Sequence, residues 1–278
     1  MRRARFPDGT EVPALGQGTW HMGESARDAK READALRLGL DLGLALIDTA
    51  EMYADGASEA IVAEAIAGRR DEVFLVTKVV PHNATRRGVA AACSRSLKRL
   101  RTDRIDLYLL HWPGAVPLEE TVAGFEALRV GGKIIRWGVS NFDTDEMETL
   151  RALPDGAACA TDQVLYNPER RGIEFDLLPW CAAHAMPAMA YSPVGQGGRL
   201  LRNPALAAVA KRHDATPAQV AIAWTLRQPG VISIPKAADP AHVRANAAAA
   251  ALTLDAGDLA AIDAALPPPA RKQSLEML

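Results

Sequence analysis

Eight times along its 278 residues, this chain passes from a short apolar run into a longer segment with helical spacing. The apolar runs are 14–18, 44–48, 73–77, 105–110, 134–139, 159–163, 187–190 and 230–234. The intervening segments 31–43, 58–68, 86–100, 119–131, 143–152, 172–185, 216–228 and 239–249 are many of them rich in alanine. Leu36, Leu40 and Leu44 recur every four residues, as one face of a helix requires, and Val62, Ala65, Ile66 and Val220, Ala223, Trp224 do likewise. Thr216-Pro217 and Asp239-Pro240 each join a capping residue to a proline whose missing N–H costs nothing in the first helical turn. Consecutive parallel strands need a crossover, and a helix is the compact way to build one, so strict alternation predicts a parallel sheet. Eight repeats predict a (β/α)8 barrel of the TIM type rather than an open doubly wound sheet. Pro7-Asp8-Gly9 between runs 2–6 and 10–13 predicts an opening β-hairpin. Residues 255–265 read as one more helix, followed by Pro267-Pro268-Pro269 and a short tail. No linker or shift in composition divides the chain, so 1–278 is read as one barrel domain.

With 49% apolar residues the chain can fill a large core. Its net charge of −2, with basic residues spread along helical segments, argues against nucleic acid or an anionic membrane as a partner. Cys93, Cys159 and Cys181 are scattered and odd in number, with neither a disulfide framework nor metal-ligand spacing. No signal-like or membrane-length apolar segment is present, and a cytoplasmic location with a reducing environment is expected. No metal is expected.

The chemistry lies where apolar runs stop. Asp48 follows Leu44 to Ile47, Lys78 follows Val73 to Thr77, and His111 follows Ile105 to Leu110, with Tyr53 five residues beyond Asp48. In a parallel barrel these ends share one face, which is the face that carries active sites. A free phenol, with a pKa of about 10, is a poor proton donor near neutrality. A neighbouring ammonium, Lys78, would lower that value, and Asp48 would hold Lys78 charged. Each residue also has an ordinary explanation taken singly. Asp48-Thr49-Ala50-Glu51 fits a capping box, Lys78 and His111 could be strand ends meeting water, and Tyr53 could be a rim aromatic. Their coincidence at three successive strand ends favours a site.

Later strand ends add Ser140-Asn141, Gln163, Tyr191-Ser192-Pro193 and Pro235-Lys236. Ser, Asn and Gln suit a carboxamide, and Tyr191 offers a flat face for stacking. The loop 192–198 is glycine-rich and can bring its backbone close to phosphate. Lys236 precedes the Asp239-Pro240 helix start, a second feature suited to phosphate. Gly16-Gln17-Gly18 lacks the third glycine of a dinucleotide fingerprint, so a Rossmann site is not supported.

These stretches, in this order, resemble the aldo-keto reductase family over essentially the whole chain. They are Gly16 to Trp20, Ile47 to Tyr53, Thr77-Lys78, Leu110-His111-Trp112, Gly138 to Phe142, Gln163, Tyr191-Ser192-Pro193 and Ile234-Pro235-Lys236. Within the family the chain is most similar to bacterial members that reduce small aldehydes such as methylglyoxal. The resemblance implies NADPH-dependent reduction of small aldehydes and ketones, with NADH used more weakly. It implies Asp48, Tyr53, Lys78 and His111 as catalytic residues, Tyr53 being the general acid and His111 orienting the carbonyl oxygen. It places Gly18, Thr19, Trp20, Ser140, Asn141, Gln163 and Tyr191 around the nicotinamide, beside Asp48 and Tyr53. It runs Ser192, Pro193, Val194, Gly195, Gly197 and Leu201 under the pyrophosphate, and sets Lys236, Ala237, Ala238, His242 and Asn246 at the adenosine end. Trp20, Tyr53, His111 and Trp112 would wall the substrate pocket. Two positions depart from the family pattern: Ala237 replaces a serine, and His242 stands where an arginine is usual, with Arg244 two residues further on. The short tail implies an open pocket, and the chain is expected to be a monomer or weak homo-oligomer.

Two other functions compete. A regulatory subunit that binds cofactor without turnover would not need all four catalytic residues. A Schiff-base aldolase would need Lys78 neutral, which a nearby Asp48 opposes.

Overall fold

The computed structural model describes residues 2–278. A hairpin of β1 (Arg3–Arg5) and β2 (Glu11–Pro13) opens the chain, paired antiparallel across the turn at Pro7 to Gly9. Eight parallel strands follow: β3 (Gln17–Gly18), β4 (Leu46–Asp48), β5 (Phe74–Val79), β6 (Ile105–Leu110), β7 (Ile134–Ser140), β8 (Asp162–Leu165), β9 (Ala188–Tyr191) and β10 (Val231–Ser233). Each pairs with its neighbour in sequence. Leu15 and Gly18 bridge Ser233 and Lys236, and Gly16 and Gly18 donate to the Ser233 and Pro235 carbonyls, which closes the sheet into the expected barrel. Closure constrains Gly18, because a Cβ there would meet the Ile234 carbonyl oxygen at 2.7 Å.

Around the barrel lie α1 (Ala29–Asp41), α2 (Ala57–Ile66), α3 (Arg86–Leu100), α4 (Leu118–Val130), α5 (Thr144–Ala152) and α6 (Leu177–Ala183), then α7 (Pro204–Arg212), α8 (Pro217–Leu226), α9 (Pro240–Ala249) and α10 (Ala256–Ala265). Capping boxes start α5, α8 and α10, and Asp239 caps α9. α7 is additional to the helices expected from the sequence, although Asn203-Pro204 repeats the cap-plus-proline signature and Leu206, Val209 and Ala210 form its buried face. Segment 172–185 is not one helix. A short 3-10 turn at Gly172–Glu174 precedes α6, so only its second half is helical. β8 runs two residues past Gln163, because Val164 and Leu165 go on pairing with Ala190 and Tyr191.

Two apolar cores divide along the strand period of two. Leu15, Leu46, Val76, Leu107, Leu109, Met189 and Ile232 fill the barrel, whose lower end Phe6 and Val12 of the hairpin region close. Ile47, Leu75, Tyr108, Leu110 and Val139 face outward, against the helices. This alternation decides where the polar ends point. Asp48 stands two residues after Leu46, Lys78 two after Val76, and His111 two after Leu109, so each continues the inward row to the top of the barrel.

Candidate active site

Asp48, Lys78 and His111 from the strand ends meet there with Tyr53 from the loop after β4. The Lys78 ammonium donates to Asp48 Oδ2 at 2.7 Å, to the Thr49 carbonyl at 2.9 Å and to the Tyr53 hydroxyl oxygen at 3.2 Å. All three N–H bonds of a fully buried cation are thereby used. Because Lys78 donates to the phenol oxygen, the Tyr53 proton is not spent on Lys78. Gln163 Nε2 donates to the other Asp48 oxygen at 2.7 Å, so the carboxylate is held on both sides. Tyr53 is 8% exposed and is boxed by Trp20 edge-on (ring centroids 4.8 Å apart) and by His111 (5.7 Å), with Trp112 tilted against His111 (4.9 Å).

The electrostatics refine the sequence expectation in one respect. Burial pushes the Tyr53 phenol up from its ordinary value, and the pull of Lys78 only partly offsets this. The expected net lowering is therefore not found: the chain alone holds Tyr53 as a neutral phenol that keeps its proton. For Lys78, burial works against the charge but Asp48 and Tyr53 outweigh it, so the ammonium is held above its usual range. Burial raises Asp48 against the opposing pull of Lys78 and Gln163. Burial, with help from Lys78, drops His111 to about 2, so its imidazole is neutral at any physiological pH. Among the described residues its buried Nδ1 finds no partner. A bare acceptor there costs less than an orphaned N–H, which puts the proton on Nε2.

The other candidate positions lie at the ends of the other strands and on the segments that follow them. Thr19 is buried and its hydroxyl is engaged, donating to the Asp48 carbonyl (3.0 Å) and accepting from Ser58 (2.8 Å). Ser140 donates to the Gln163 carbonyl, and Asn141, at φ 61°, donates to the His111 carbonyl and to Ser140 while accepting from the Tyr191 hydroxyl at 2.9 Å. Ser140, Asn141, Gln163 and Tyr191 thus form one bonded arc from β7 to β9. The glycine-rich loop turns through positive φ at Ser192, Gly195, Gln196 and Gly197, while Val194 and Leu201 pack beneath it. Asn167, which the sequence reading did not single out, anchors this loop by donating to the Ser192 carbonyl. No pattern marked it, because it acts from the loop after β8. Lys236 is exposed, and among the described residues no carboxylate pairs with it. Ala237 and Ala238 follow it, and on α9 His242 and Arg244 are exposed whereas Asn246 is buried.

Cys93 and Cys159 are buried and raised to about 12 by desolvation, and Cys181 is raised further, so none is a ready nucleophile. Among the described residues no cluster of His, Cys, Asp or Glu could hold a metal, and no helix is long and apolar enough to cross a membrane.

Comparison with known proteins gives the same frame. The chain is 52% identical to the methylglyoxal reductase YeaE of Escherichia coli (strain K12), covering 100% of this chain and 99% of that one. It is 33% identical to the glyoxal reductase of Bacillus subtilis (strain 168), over 94% of this chain and 91% of the relative. The crystal structure of an aldo-keto reductase from Klebsiella pneumoniae in complex with NADPH superposes with a TM-score of 0.98, at 50% identity over 100% of this chain and 99% of that one. A structure from the same organism, in complex with NADP and acetate, gives 0.97. The profile of the aldo/keto reductase family matches residues 14–267, which hold all eight barrel strands and every residue of the site, and the chain belongs to that family.

Proposed function

We propose that this protein reduces small aldehydes and ketones, methylglyoxal among them, to alcohols with NADPH, and that Tyr53 is the proton donor. The observation that carries the reading is the buried Asp48–Lys78–Tyr53 chain, with Lys78 donating to the phenol oxygen at 3.2 Å. NADPH, when bound, supplies a hydride to the carbonyl carbon. The oxygen then needs a proton. Tyr53 holds one at neutral pH and, on giving it up, leaves a phenolate beside an ammonium. At 3.2 Å and an effective dielectric of about 20, that attraction is roughly 5 kcal/mol. It is available only as charge develops on the phenol, so it lowers the barrier rather than the ground state. Neutral His111 is too weak an acid to compete with Tyr53, but its Nε2–H can hold and orient the carbonyl oxygen. The held-up ammonium of Lys78 argues against an aldolase, which needs a free amine.

The residues present fit the cofactor. The bonded amide arc of Ser140, Asn141 and Gln163, with the Tyr191 ring, suits a nicotinamide carboxamide. The positive-φ loop 192–197 suits a pyrophosphate, and the exposed Lys236 suits a 2′-phosphate. Lys236 accounts for NADPH over NADH. Histidine at 242 lacks the always-charged, five-donor fork of arginine, so the preference rests mainly on the lysine. The test is NADPH oxidation against a panel of small carbonyls, run beside Tyr53→Phe. Turnover of methylglyoxal by the wild type and its loss in the variant are expected. Full activity of Tyr53→Phe would overturn the assignment.

A further inference from the structure

We infer that Glu51 is a positioning residue that sets the distance between Tyr53 and Lys78; the inference rests on Tyr53 being the proton donor. Tyr53 is not on a strand. It opens a short 3-10 turn five residues beyond β4, and Ala54, Asp55 and Gly56 directly after it all have positive φ. Ala54 and Asp55 do not favour positive φ on their own, yet this segment carries the group whose placement against Lys78 matters most. Something must hold it.

Glu51 is tied down through both backbone and side chain. Its N–H donates to the Lys78 carbonyl at 3.2 Å. Its Oε1 accepts from the Val80 N–H at 3.0 Å and from Asn83 Nδ2 at 2.9 Å. Its Oε2 lies 3.5 Å from a guanidinium nitrogen of Arg95 on α3, and the side chain is only 7% exposed. The carboxylate thus clamps the Tyr53 loop to the segment that leaves β5 just after Lys78. It touches neither the reacting atoms nor the cofactor loops, and acts through Tyr53. The pair at Oε1 is short and shielded, whereas the Arg95 contact is long and half-exposed. The hydrogen-bond acceptor, rather than the charge, is therefore the working part.

Glu51→Ala removes the clamp and Glu51→Gln keeps an oxygen that accepts from Val80 and Asn83. Misplacement of a catalytic group by about 1 Å can cost about a hundred-fold in rate, so Glu51→Ala should lower kcat by roughly ten- to a hundred-fold. KM for the carbonyl and the dissociation constant for NADPH should stay near wild type. The solvent isotope effect on kcat should grow, because proton transfer becomes more rate-limiting. Glu51→Gln should recover most of the turnover. Rates are to be expressed per NADPH-binding site, titrated by fluorescence. An undiminished kcat in Glu51→Ala, or a loss that merely tracks lost binding sites, would overturn the inference. If Glu51→Ala does not fold, Asn83→Ala carries the test from the other side of the clamp, with a smaller kcat loss expected and an unchanged kcat counting against it. An inactive wild type or an active Tyr53→Phe would instead overturn the reading of Tyr53 itself.

Discussion

Replacing Lys78 with methionine removes the buried cation that pairs with Asp48 and donates to the Tyr53 hydroxyl oxygen. The Lys78 side chain is 0% exposed and that of Asp48 3%, with 2.7 Å between the charged atoms. Breaking a buried pair by deleting one partner costs about 3–5 kcal/mol, because the other charge is stranded. Unfolding entropy for a 278-residue chain is roughly 0.6 kcal/mol/K, so the melting temperature should fall by about 5–9 °C. The loss should depend on pH. Burial already raises Asp48 in the folded protein, and Lys78 supplies the largest opposing pull, so the variant raises it further. A carboxyl whose folded value lies above its unfolded value of about 3.9 penalises folding increasingly as pH rises past that value. The Tm deficit relative to wild type should therefore be smaller at pH 5 than at pH 8. Adding Asp48→Asn removes the stranded charge and should restore part of the stability but none of the activity. In kcat, the phenolate loses its ammonium, and about 10²- to 10⁴-fold should go, with the double variant losing clearly less than the product of the single losses in steady-state NADPH oxidation, because the two residues act as one unit. Equal melting temperatures for wild type and Lys78→Met at both pH values, with no recovery in the double variant, would refute the argument.

Tyr53→Phe should cost at least about 10²-fold in kcat, the usual contribution of a general acid, while NADPH binding measured by fluorescence quenching stays unchanged. His111 is held neutral down to about 2, so wild-type kcat should show no imidazole limb between pH 5 and 8. A histidine that stays neutral when folded but charges near pH 6.5 when unfolded makes the fold lose stability as pH falls below that value. The loss is about 1.4 kcal/mol per pH unit, and chemical denaturation of His111→Gln at pH 7 and pH 5 should show a correspondingly shallower decline. Lys236→Ala should weaken NADPH by roughly ten- to a hundred-fold and leave NADH nearly untouched, as removal of one charge-assisted phosphate contact would. Equal losses for the two cofactors would place the 2′-phosphate elsewhere.

The barrel was legible in the sequence because its determinants are local. Strand and helix periods, caps and prolines recur in alternation, and a closed ring of eight such units buries their apolar faces. Three of the four residues proposed as catalytic were legible for a related reason. With a period of two, a polar residue that ends the inward row of a buried strand can only emerge at the barrel mouth, as Asp48, Lys78 and His111 do. What the sequence could not decide involves partners distant in the chain. That Gln163 bonds Asp48, 115 residues away, follows from β8 and β4 facing each other across the barrel. The net rise of the Tyr53 phenol was missed because desolvation depends on which walls close round it, here Trp20 and His111, and no spacing rule measures that. Glu51 reads in sequence as half of a capping box, yet its carboxylate bonds Val80 and Asn83 across the gap to β5 instead. Local pattern determined which residues reach the mouth of the barrel. Only the tertiary structure decided how they are bonded and how dry they are, because burial and cross-strand contact belong to the closed barrel and to no single segment of it.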